Sequence, residues 1–320
     1  MSILVYTESE NGKFKKTAFE VASYAKAVAD QLGTTVTAVA VNADDVSELG
    51  KYGVDKVLKV SNTDLKKFNA KSYASVLKQA AENESSKVVV VSSSADSKYL
   101  APLLAVNLDA GYASNVVEVP SSTAPFTVKR TAFTNKAFNL TTIDTAVKLV
   151  GVSNNSYGLV ENSGSATAED FSPSIPASGV TVESVDKVTD KVTIADAEIV
   201  VSAGRGLKGP ENWGMIEELA DVLGAATACS KPVSDLGWRP HGEHVGQTGK
   251  PVAANLYIAI GISGAIQHLA GINASKVKVV INTDPEAPFF KAADYGVVGD
   301  AFEVVPALIE KLKAFKAANA

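Results

Sequence analysis

Residues 199–209, Ile-Val-Val-Ser-Ala-Gly-Arg-Gly-Leu-Lys-Gly, decide how the second half of this chain is expected to fold. The apolar run Ile199–Ser202 predicts a buried strand, and Gly204–Gly209 follows it with the pattern GxGxxG. An amphipathic helix is predicted next, with an apolar face made of Met215, Ile216, Leu219, Ala220 and Leu223. Glycines let a backbone approach a pyrophosphate, and the free N–H groups of a helix start attract negative charge. The stretch therefore predicts a dinucleotide-binding unit, although three glycines can also simply form a tight turn.

The residues after the next predicted strand disfavour a nicotinamide cofactor. In a unit that binds NAD, an acidic residue roughly 20 positions further on ends that strand and bonds the ribose. Here the strand Ala225–Ala228 is followed by a cysteine, a serine, a lysine and a proline, and the first acidic residue, Asp235, comes after them. Ser230 and Lys231 suit hydrogen bonding and positive charge better than recognition of a ribose diol.

Two more glycine-rich elements lie downstream. Val245–Lys250 reads VGQTGK and is rich in hydrogen-bond donors, but it is not a phosphate-binding P-loop because Pro251 follows the lysine. Ile260–His268 reads IGISGAIQH, in which an apolar strand meets a helix start through small residues and forms another potential anion site. Taken alone, each element could be a structural turn, and His268 could be a core histidine bonded to backbone.

Strand-like and helix-like segments alternate through the first half of the chain, which predicts a parallel α/β sheet. The predicted strands are Ile3–Thr7, Thr35–Val41, Lys56–Val60 and Val88–Val91, and the predicted helices are Thr17–Leu32, Tyr73–Asn83 and Tyr99–Leu108. Phe126–Phe133 and Ala137–Ile143 predict a hairpin that turns at Asn135-Lys136 and gives this domain a β-rich edge. A second α/β sheet, Rossmann-like and doubly wound, is predicted to begin near residue 190.

The length of 320 residues favours two domains. Residues 161–179 are rich in Asn, Ser, Gly, Ala and Pro and hold few large apolar side chains, so they predict a linker, which extends to about residue 187. We therefore predict an N-terminal α/β domain over residues 1–187, linker included, and a C-terminal domain over residues 188–320.

The composition excludes several classes of protein. Hydrophobic residues make up 46% and charged residues 20% of the chain, as in an ordinary globular protein. A net charge of -5 gives no general attraction to nucleic acid, so no nucleic-acid partner is expected. No apolar run reaches the roughly 18 residues that span a bilayer, so the chain is not expected to be membrane-embedded. We expect a cytoplasmic bacterial protein, or a mitochondrial matrix protein if a presequence was removed.

Neither a disulfide nor a metal site is predicted. Cys229 is the single cysteine, which rules out an intrachain disulfide and a cysteine-only metal site and suits a reducing compartment. His241 and His244 flank Glu243, but they lack the spacing of the helical zinc motif. A loop without metal is the better interpretation.

Five segments in the second half together resemble one known family. They are GRGLKGPENW, VGQTGK, ISGAIQHLAG, INTDPEAP and ADYGVVGDAF, and in this order and spacing they resemble the FAD domain of electron transfer flavoprotein alpha subunits. The resemblance is dense over roughly residues 199–310 and looser over the first half. It implies that FAD lies extended on the C-terminal domain, where the protein positions and tunes the flavin.

The resemblance also implies which residues contact the cofactor. Val245–Thr248 match the segment beside the isoalloxazine, with Thr248 near flavin N5, and His268 matches a histidine near flavin O2. The imidazole of His268, as an N–H donor or as an imidazolium, would stabilise negative charge on the reduced flavin. The full predicted set is Arg205, Ser230, Lys231, Val245, Gly246, Gln247, Thr248, Ser263, Gly264, Ala265, Ile266, Gln267, His268, Asn282, Asp300 and Ala301.

Lys231 departs from the family pattern. The family usually carries an arginine after the serine at position 230, and its guanidinium lies over the flavin. Lysine keeps the positive charge but loses the planar fork of donors, so the exchange is not conservative at a stacked site. We expect Lys231→Ala to lower the flavin potential through lost positive charge while FAD is retained. Ala301 also replaces a larger apolar residue of the family.

The family further implies partners and a pathway. Its members pair with a beta subunit as a heterodimer, accept electrons from flavin dehydrogenases of the acyl-CoA dehydrogenase type in fatty acid beta-oxidation, and pass them to electron transfer flavoprotein-quinone oxidoreductase. Such a subunit is an electron carrier and not an enzyme. Two alternatives stay open: a bifurcating electron transfer flavoprotein that oxidises NADH, and a nicotinamide-dependent dehydrogenase.

Overall fold

The computed structural model describes residues 2–133, 135–185, 193–194 and 197–319. The chain divides into two compact units, and they consist of Met1–Ala132 with Phe138–Val185 and of Phe133–Ala137 with Asp186–Ala320. The boundary predicted between residues 187 and 188 lies outside the described residues.

The first unit is built on one large sheet. Its strands are β1 (Ser2–Thr7), β4 (Thr35–Val41), β5 (Lys56–Val60), β6 (Val88–Ser92), β7 (Ala110–Val116), β8 (Ser122–Thr123), β9 (Phe126–Ala132), β10 (Ala137–Thr142), β11 (Val147–Val152) and β12 (Thr167–Asp170), while β2 (Ser9–Glu10) and β3 (Lys13–Phe14) form a separate hairpin. The order across the sheet is β10-β9-β7-β11-β6-β1-β4-β5-β12, with β8 beside β9. The neighbouring strands β7, β11, β6, β1, β4, β5 and β12 run parallel to one another, and β9 is antiparallel to β7. The predicted parallel sheet with a β-rich edge is confirmed.

Helices cover both faces of this sheet. They are α1 (Lys16–Leu32), α2 (Ala70–Asn83) and α3 (Ala95–Asn107). Helix α1 packs on the face that carries Val88 and Val90, whereas α2 and α3 pack on the face that carries Val89 and Val91. Strand β6 is apolar at successive positions because both of its faces are buried.

Caps move two helix starts from their predicted positions. Helix α2 begins at Ala70 and not at Tyr73, because the side chain of Asn69 accepts hydrogen bonds from the first turn. Helix α3 begins at Ala95 and not at Tyr99, because the Ser94 hydroxyl accepts a bond from the backbone N–H of Ser97 at 3.0 Å. Polar caps extend these helices beyond the apolar pattern from which they were predicted.

Part of the predicted linker is ordered as a strand. Thr167–Asp170 forms β12 and pairs in parallel with β5 at the edge of the sheet. All four of its residues are exposed. Its pairing depends on backbone hydrogen bonds, so the segment carries no apolar alternation by which a strand could be predicted.

A buried carboxylate fastens the loop that follows β11. Glu20 lies in α1 and is nearly inaccessible to solvent. Its side chain accepts hydrogen bonds from the backbone N–H groups of Asn155, Tyr157 and Gly158 at 2.8, 3.0 and 3.0 Å. The charge of Glu20 is thus compensated by main-chain donors.

The second unit holds a five-stranded sheet that is parallel throughout. Its strands are β13 (Ile199–Ala203), β14 (Ala226–Cys229), β15 (Leu256–Ile260), β16 (Val277–Asn282) and β17 (Tyr295–Val298), and its helices are α4 (Gly214–Leu223), α5 (Lys231–Asp235), α6 (Ile266–Ile272) and α7 (Ala301–Ala318). Helices α4 and α7 cover one face and α6 the other, as predicted for a doubly wound domain. None of the described helices is both long and apolar enough to cross a bilayer.

The strand order of the second sheet locates its ligand crevice. The order is β14-β13-β15-β16-β17. The next strand in the chain, β14, pairs with one edge of β13, and the following strand, β15, pairs with the other edge. In open parallel sheets, ligands bind outside the carboxyl ends of the strands where the order reverses in this way. The crevice is therefore expected beyond Ala203 and Ile260, the last residues of β13 and β15.

Candidate cofactor-binding site

A cavity of about 770 Å³ lies at this edge of the second sheet. The turns that follow β13, β14, β15 and β16 all contribute to its wall. The volume falls within the range of roughly 300–1,000 Å³ that is usual for small-molecule and cofactor sites.

Glycines let two of these turns touch through their backbones. The N–H of Gly206 donates to the carbonyl oxygen of Gly261 at 3.1 Å, and the N–H of Gly204 donates to that of Ile260 at 2.9 Å. A Cβ atom on Gly206 would lie 2.6 Å from the Cα of Gly261, closer than side chains tolerate. Gly261 has a φ of +61°, which also favours glycine. The GxGxxG element thus serves a tight turn and a close approach at once, and it lines the cavity with main chain.

The VGQTGK loop is fixed against two neighbouring elements. The N–H of Val245 donates to the carbonyl oxygen of Cys229 at 3.0 Å, and the N–H of Gln247 donates to that of Gln267 at 2.7 Å. A Cβ atom on Gly271 of α6 would lie 2.6 Å from the Cα of Gly246. The loop is therefore held in the cavity wall by main-chain contacts.

His268 is buried in the wall and is held from behind. Its Nε2 lies 2.9 Å from the hydroxyl oxygen of Tyr257, and its Nδ1 has no hydrogen-bond partner among the described residues. Burial, assisted by the nearby His244, lowers the pKa of His268 to about 4. Of the two charge states considered from the sequence, the neutral imidazole is therefore the one present near pH 7.

His244 is a second histidine in the cavity wall. It is buried, and its Nδ1 also lacks a hydrogen-bond partner within the part of the chain that the structure describes. Burial lowers its pKa, and the neighbouring His241 and Lys231 add to this effect. Sequence reasoning considered this residue only as a metal ligand, although its place directly before VGQTGK could have pointed to the cavity.

Lys231 is paired at the rim of the cavity. Its Nζ bonds both carboxylate oxygens of Asp235, one turn further along α5, at 2.7 and 2.8 Å. Both residues line the cavity, and both side chains are more than half exposed. Asp235, which sequence reasoning dismissed as a ribose-binding acid, thus offsets part of the positive charge that Lys231 brings.

Arg205 brings a cation that is free for a ligand. It lies in the turn after β13 and reaches the cavity, where its guanidinium forms no hydrogen bond or ion pair with the other described residues. A guanidinium offers five donors in a planar fork that matches phosphate oxygens. The cavity therefore combines one unpaired cation, backbone N–H groups and two imidazoles whose Nδ1 atoms lack partners.

Most of the predicted residues come together in this wall. Those that line the cavity are Arg205, Ser230, Lys231, Val245, Gly246, Gln247, Thr248, Ser263, Ala265, Gln267, His268 and Asn282. Lining residues that sequence reasoning did not assign to it are Gly206, Pro232, Asp235, Leu236, His244, Gly261, Ile262, Asp284 and Ala287. The side chain of Asn282 donates to the carbonyl oxygen of Ile262 at 3.0 Å, so it also holds two of the turns together.

Four predicted residues lie outside the cavity wall. Gly264 has a φ of +87°, and a Cβ atom there would meet the backbone of Phe289. The side chain of Ile266 is exposed. Asp300 caps α7 by accepting a hydrogen bond from the N–H of Phe302 at 3.0 Å, and Ala301, the first residue of α7, packs in the apolar core. Gly264, Asp300 and Ala301 thus serve the fold around the cavity, and contact of any of the four with the cofactor stays a prediction.

Comparisons with known proteins point to one family. Residues 193–273 match the model described as "Electron transfer flavoprotein FAD-binding domain", and residues 3–176 match "Electron transfer flavoprotein domain". The electron transfer flavoprotein subunit alpha of Bacillus subtilis (strain 168) is 36% identical over 315 residues, which cover 97% of each chain. The protein of the same name from Pseudomonas aeruginosa is 38% identical over 316 residues, 96% of this chain and 99% of the relative. Protein FixB of Clostridium saccharobutylicum is 31% identical over 320 residues, 97% of this chain and 96% of the relative.

Proposed function

Because this chain belongs to the electron transfer flavoprotein alpha subunit family and FAD is its cofactor, we propose that it holds FAD in the cavity at the carboxyl ends of β13–β16. We further propose that the bound FAD accepts electrons from flavin dehydrogenases of the acyl-CoA dehydrogenase type and passes them to a quinone oxidoreductase of the respiratory chain. The chain then acts as an electron carrier in fatty acid beta-oxidation.

The chemistry of the cavity wall supports this assignment. FAD supplies one-electron chemistry when bound, and a carrier needs the protein to bind, orient and shield it. The main-chain turn at Gly206 and the unpaired guanidinium of Arg205 suit the pyrophosphate. The buried Nδ1 atoms of His244 and His268 need partners that the described residues do not supply. These two unpartnered nitrogens are the observation that carries the proposal, because a ligand with polar atoms would satisfy them.

A beta subunit is proposed as the second half of the site. Two apolar side chains at the cavity are exposed: Leu236, which lines it, at 58%, and Ile266, which lies between the lining residues Ala265 and Gln267, at 66%. An apolar rim of this kind is usual where a partner surface closes a site. We also assign the carrier to the cytoplasm, since the curated relatives compared above are bacterial and a lone buried cysteine suits a reducing compartment.

The decisive experiment is co-expression with a candidate beta subunit encoded beside this chain. We expect a heterodimer that purifies yellow with one FAD and that an acyl-CoA dehydrogenase reduces in the presence of its substrate. Two flavins and rapid reduction by NADH would instead favour the bifurcating alternative. A protein without flavin that turns over a substrate with NAD would favour the nicotinamide-dependent dehydrogenase and overturn the proposal.

Arg205→Ala is the matched test of the cavity itself. Loss of the unpaired guanidinium should weaken FAD retention during gel filtration, since charge-assisted hydrogen bonds to phosphate contribute roughly 1.5–3 kcal/mol each. Arg130→Ala in the first unit serves as the control arginine. Equal FAD retention in both variants would place the cofactor elsewhere.

A further inference from the structure

Tyr257 places a buried hydroxyl directly behind His268. Tyr257 is the second residue of β15, and its side chain lies on the face of the sheet that α6 covers. Its exposure is 0%, and its hydroxyl oxygen lies 2.9 Å from Nε2 of His268. The imidazole therefore has the cavity in front of it and a tyrosine behind it.

The protonation of this pair is restricted by its burial. Burial raises the pKa of the Tyr257 hydroxyl well above its usual value, so the hydroxyl keeps its proton. Burial lowers the pKa of His268 to about 4, so its ring is neutral near pH 7 and carries a single N–H. Which ring nitrogen holds that proton decides whether His268 offers the cavity a donor or an acceptor.

The surroundings of the Tyr257 hydroxyl favour one arrangement. Nε2 of His268 is the one hydrogen-bond partner of this hydroxyl among the described residues, and the buried Oγ of Ser202 has no partner among them. The proton of Tyr257 is then left for Nε2 of His268, which must be unprotonated to accept it. If Nε2 carried the proton instead, the buried O–H of Tyr257 would have no acceptor of its own, at a cost of roughly 1–3 kcal/mol.

The other ring nitrogen then carries the hydrogen. Nδ1 of His268 is buried, and it has no hydrogen-bond partner among the residues that the structure describes. A neutral imidazole carries a single N–H, so a ring whose Nε2 accepts from Tyr257 has its proton on Nδ1.

We propose that Tyr257 is a positioning residue: its hydroxyl donates to Nε2 of His268, fixes the neutral tautomer that is protonated on Nδ1, and so makes His268 a hydrogen-bond donor to the cofactor. The proposal rests on the proposed function, since FAD is the group that receives this bond. With the opposite tautomer, the same side of the ring would present a lone pair to the carbonyl oxygens of the flavin. Tyr257 thus selects the form of His268 that stabilises negative charge on the flavin edge.

The tautomer can be measured directly. We would label the histidines with ¹⁵N and record long-range ¹H–¹⁵N correlations of the heterodimer with and without FAD. The chain has three histidines, and His268→Gln identifies the signals of this one. We expect a pyrrole-type shift for Nδ1 and a pyridine-type shift for Nε2 in the wild type, and averaged shifts in Tyr257→Phe. The control is Tyr295→Phe, which removes the hydroxyl of the other tyrosine in this unit, one that is 67% exposed.

Two results of this measurement would overturn the proposal. One is a wild-type ring with its proton on Nε2, which needs no variant and is therefore independent of how Tyr257→Phe folds. The other is a Tyr257→Phe protein whose His268 shifts equal those of the wild type. A wild-type protein that binds no FAD would refute the proposed function alone, because the flavin-free spectra would still report the tautomer.

The one-electron potential of the flavin distinguishes a positioning role of Tyr257 from a merely structural one. We expect Tyr257→Phe to reduce the equilibrium constant for one-electron reduction of the flavin by up to about tenfold, which is 59 mV. In a His268→Gln background the same substitution should leave the potential unchanged, because the hydroxyl acts through the imidazole. An equal shift in both backgrounds would mean that Tyr257 acts on the packing of the site and not through His268.

Discussion

Replacement of Gly206 by alanine tests how the cavity is built at its strand-order reversal. The new methyl group would lie 2.6 Å from the Cα and 3.0 Å from the carbonyl oxygen of Gly261. Gly261 cannot move aside as a side chain would, since its own N–H donates to the carbonyl oxygen of Ile281 at 2.9 Å and anchors it to β16. The turns after β13 and β15 must therefore separate.

Gly206→Ala is expected to lower the free energy of unfolding by an amount at the upper end of the range for overpacking substitutions. Insertion of a methyl group into a packed interior costs roughly 1–3 kcal/mol, and here both partners are main chain, so we expect about 3 kcal/mol. For a domain of this size, such a loss lowers the midpoint of thermal unfolding by roughly 10 °C. FAD affinity should fall as well, because FAD can bind only after the native turn is restored. Each 1.4 kcal/mol of that cost lowers the affinity about tenfold.

Tryptophan fluorescence suits this measurement. The chain has two tryptophans, Trp213 and Trp238, and both belong to the second unit, so the unfolding signal reports that unit alone. FAD content is read from the absorbance of the purified protein. The control is Gly214→Ala, since no heavy atom lies within 4 Å of a Cβ atom there and the residue is helical. We expect Gly214→Ala to be neutral or stabilising by up to about 1 kcal/mol.

Two outcomes would refute this reasoning. One is a Gly206→Ala protein that unfolds at the wild-type temperature and purifies with its full complement of FAD. The other is equal destabilisation in Gly206→Ala and Gly214→Ala, which would show that loss of glycine as such matters, and not the approach of the two turns.

Three more predictions follow from the remaining charges. Lys231→Ala should lower the flavin potential and Asp235→Asn should raise it, because the two residues form one ion pair at the rim; spectroelectrochemical titration that gives shifts of the same sign would contradict this. Glu20→Ala should lower the free energy of unfolding of the first unit, measured by urea denaturation, by about 3 kcal/mol. The same substitution at the exposed Glu82 should change it by less than about 0.5 kcal/mol. His268, with a pKa of about 4 when folded and about 6.5 when unfolded, should make stability fall by roughly 3 kcal/mol as the pH drops from 6.5 to 4, and His268→Gln should remove that part of the pH dependence.

The sequence predicts the buried strands of this protein better than its edge strands. Val88–Val91 and Leu256–Ile260 are apolar runs because each sheet is covered on both faces. Successive residues of these strands are therefore apolar, and the run can be recognised in the sequence. Thr167–Asp170 and Tyr295–Val298 were not predicted as strands, and all of their residues are exposed. Backbone pairing at the edge of a sheet leaves no such signature.

Sequence motifs also locate most of the cavity wall, but they do not identify the lining residues that lie outside the motifs. The motifs GxGxxG and VGQTGK place Arg205 and Gln247 in the wall because each motif is a local turn at a strand end. Asp235 and His244 reach the same wall only because α5 and the loop after it fold back beside β14. Asp300 matches a family position, yet its side chain caps α7 and pairs with Lys208 at 3.7 Å.

The charges in the cavity wall indicate how this site would act on a flavin. Burial keeps His268 neutral near pH 7, and Asp235 offsets the charge of Lys231, so Arg205 is left as the unpaired cation in the wall among the residues described. A pyrophosphate needs that full charge, whereas the flavin ring would be stabilised by neutral donors such as the N–H of His268. Because these donors do not titrate between pH 6 and 8, their contribution to the flavin potential stays constant over that range. The geometry of these hydrogen bonds would then act on the potential together with the Lys231–Asp235 pair, and the proposed role of Tyr257 is to hold one of them in place.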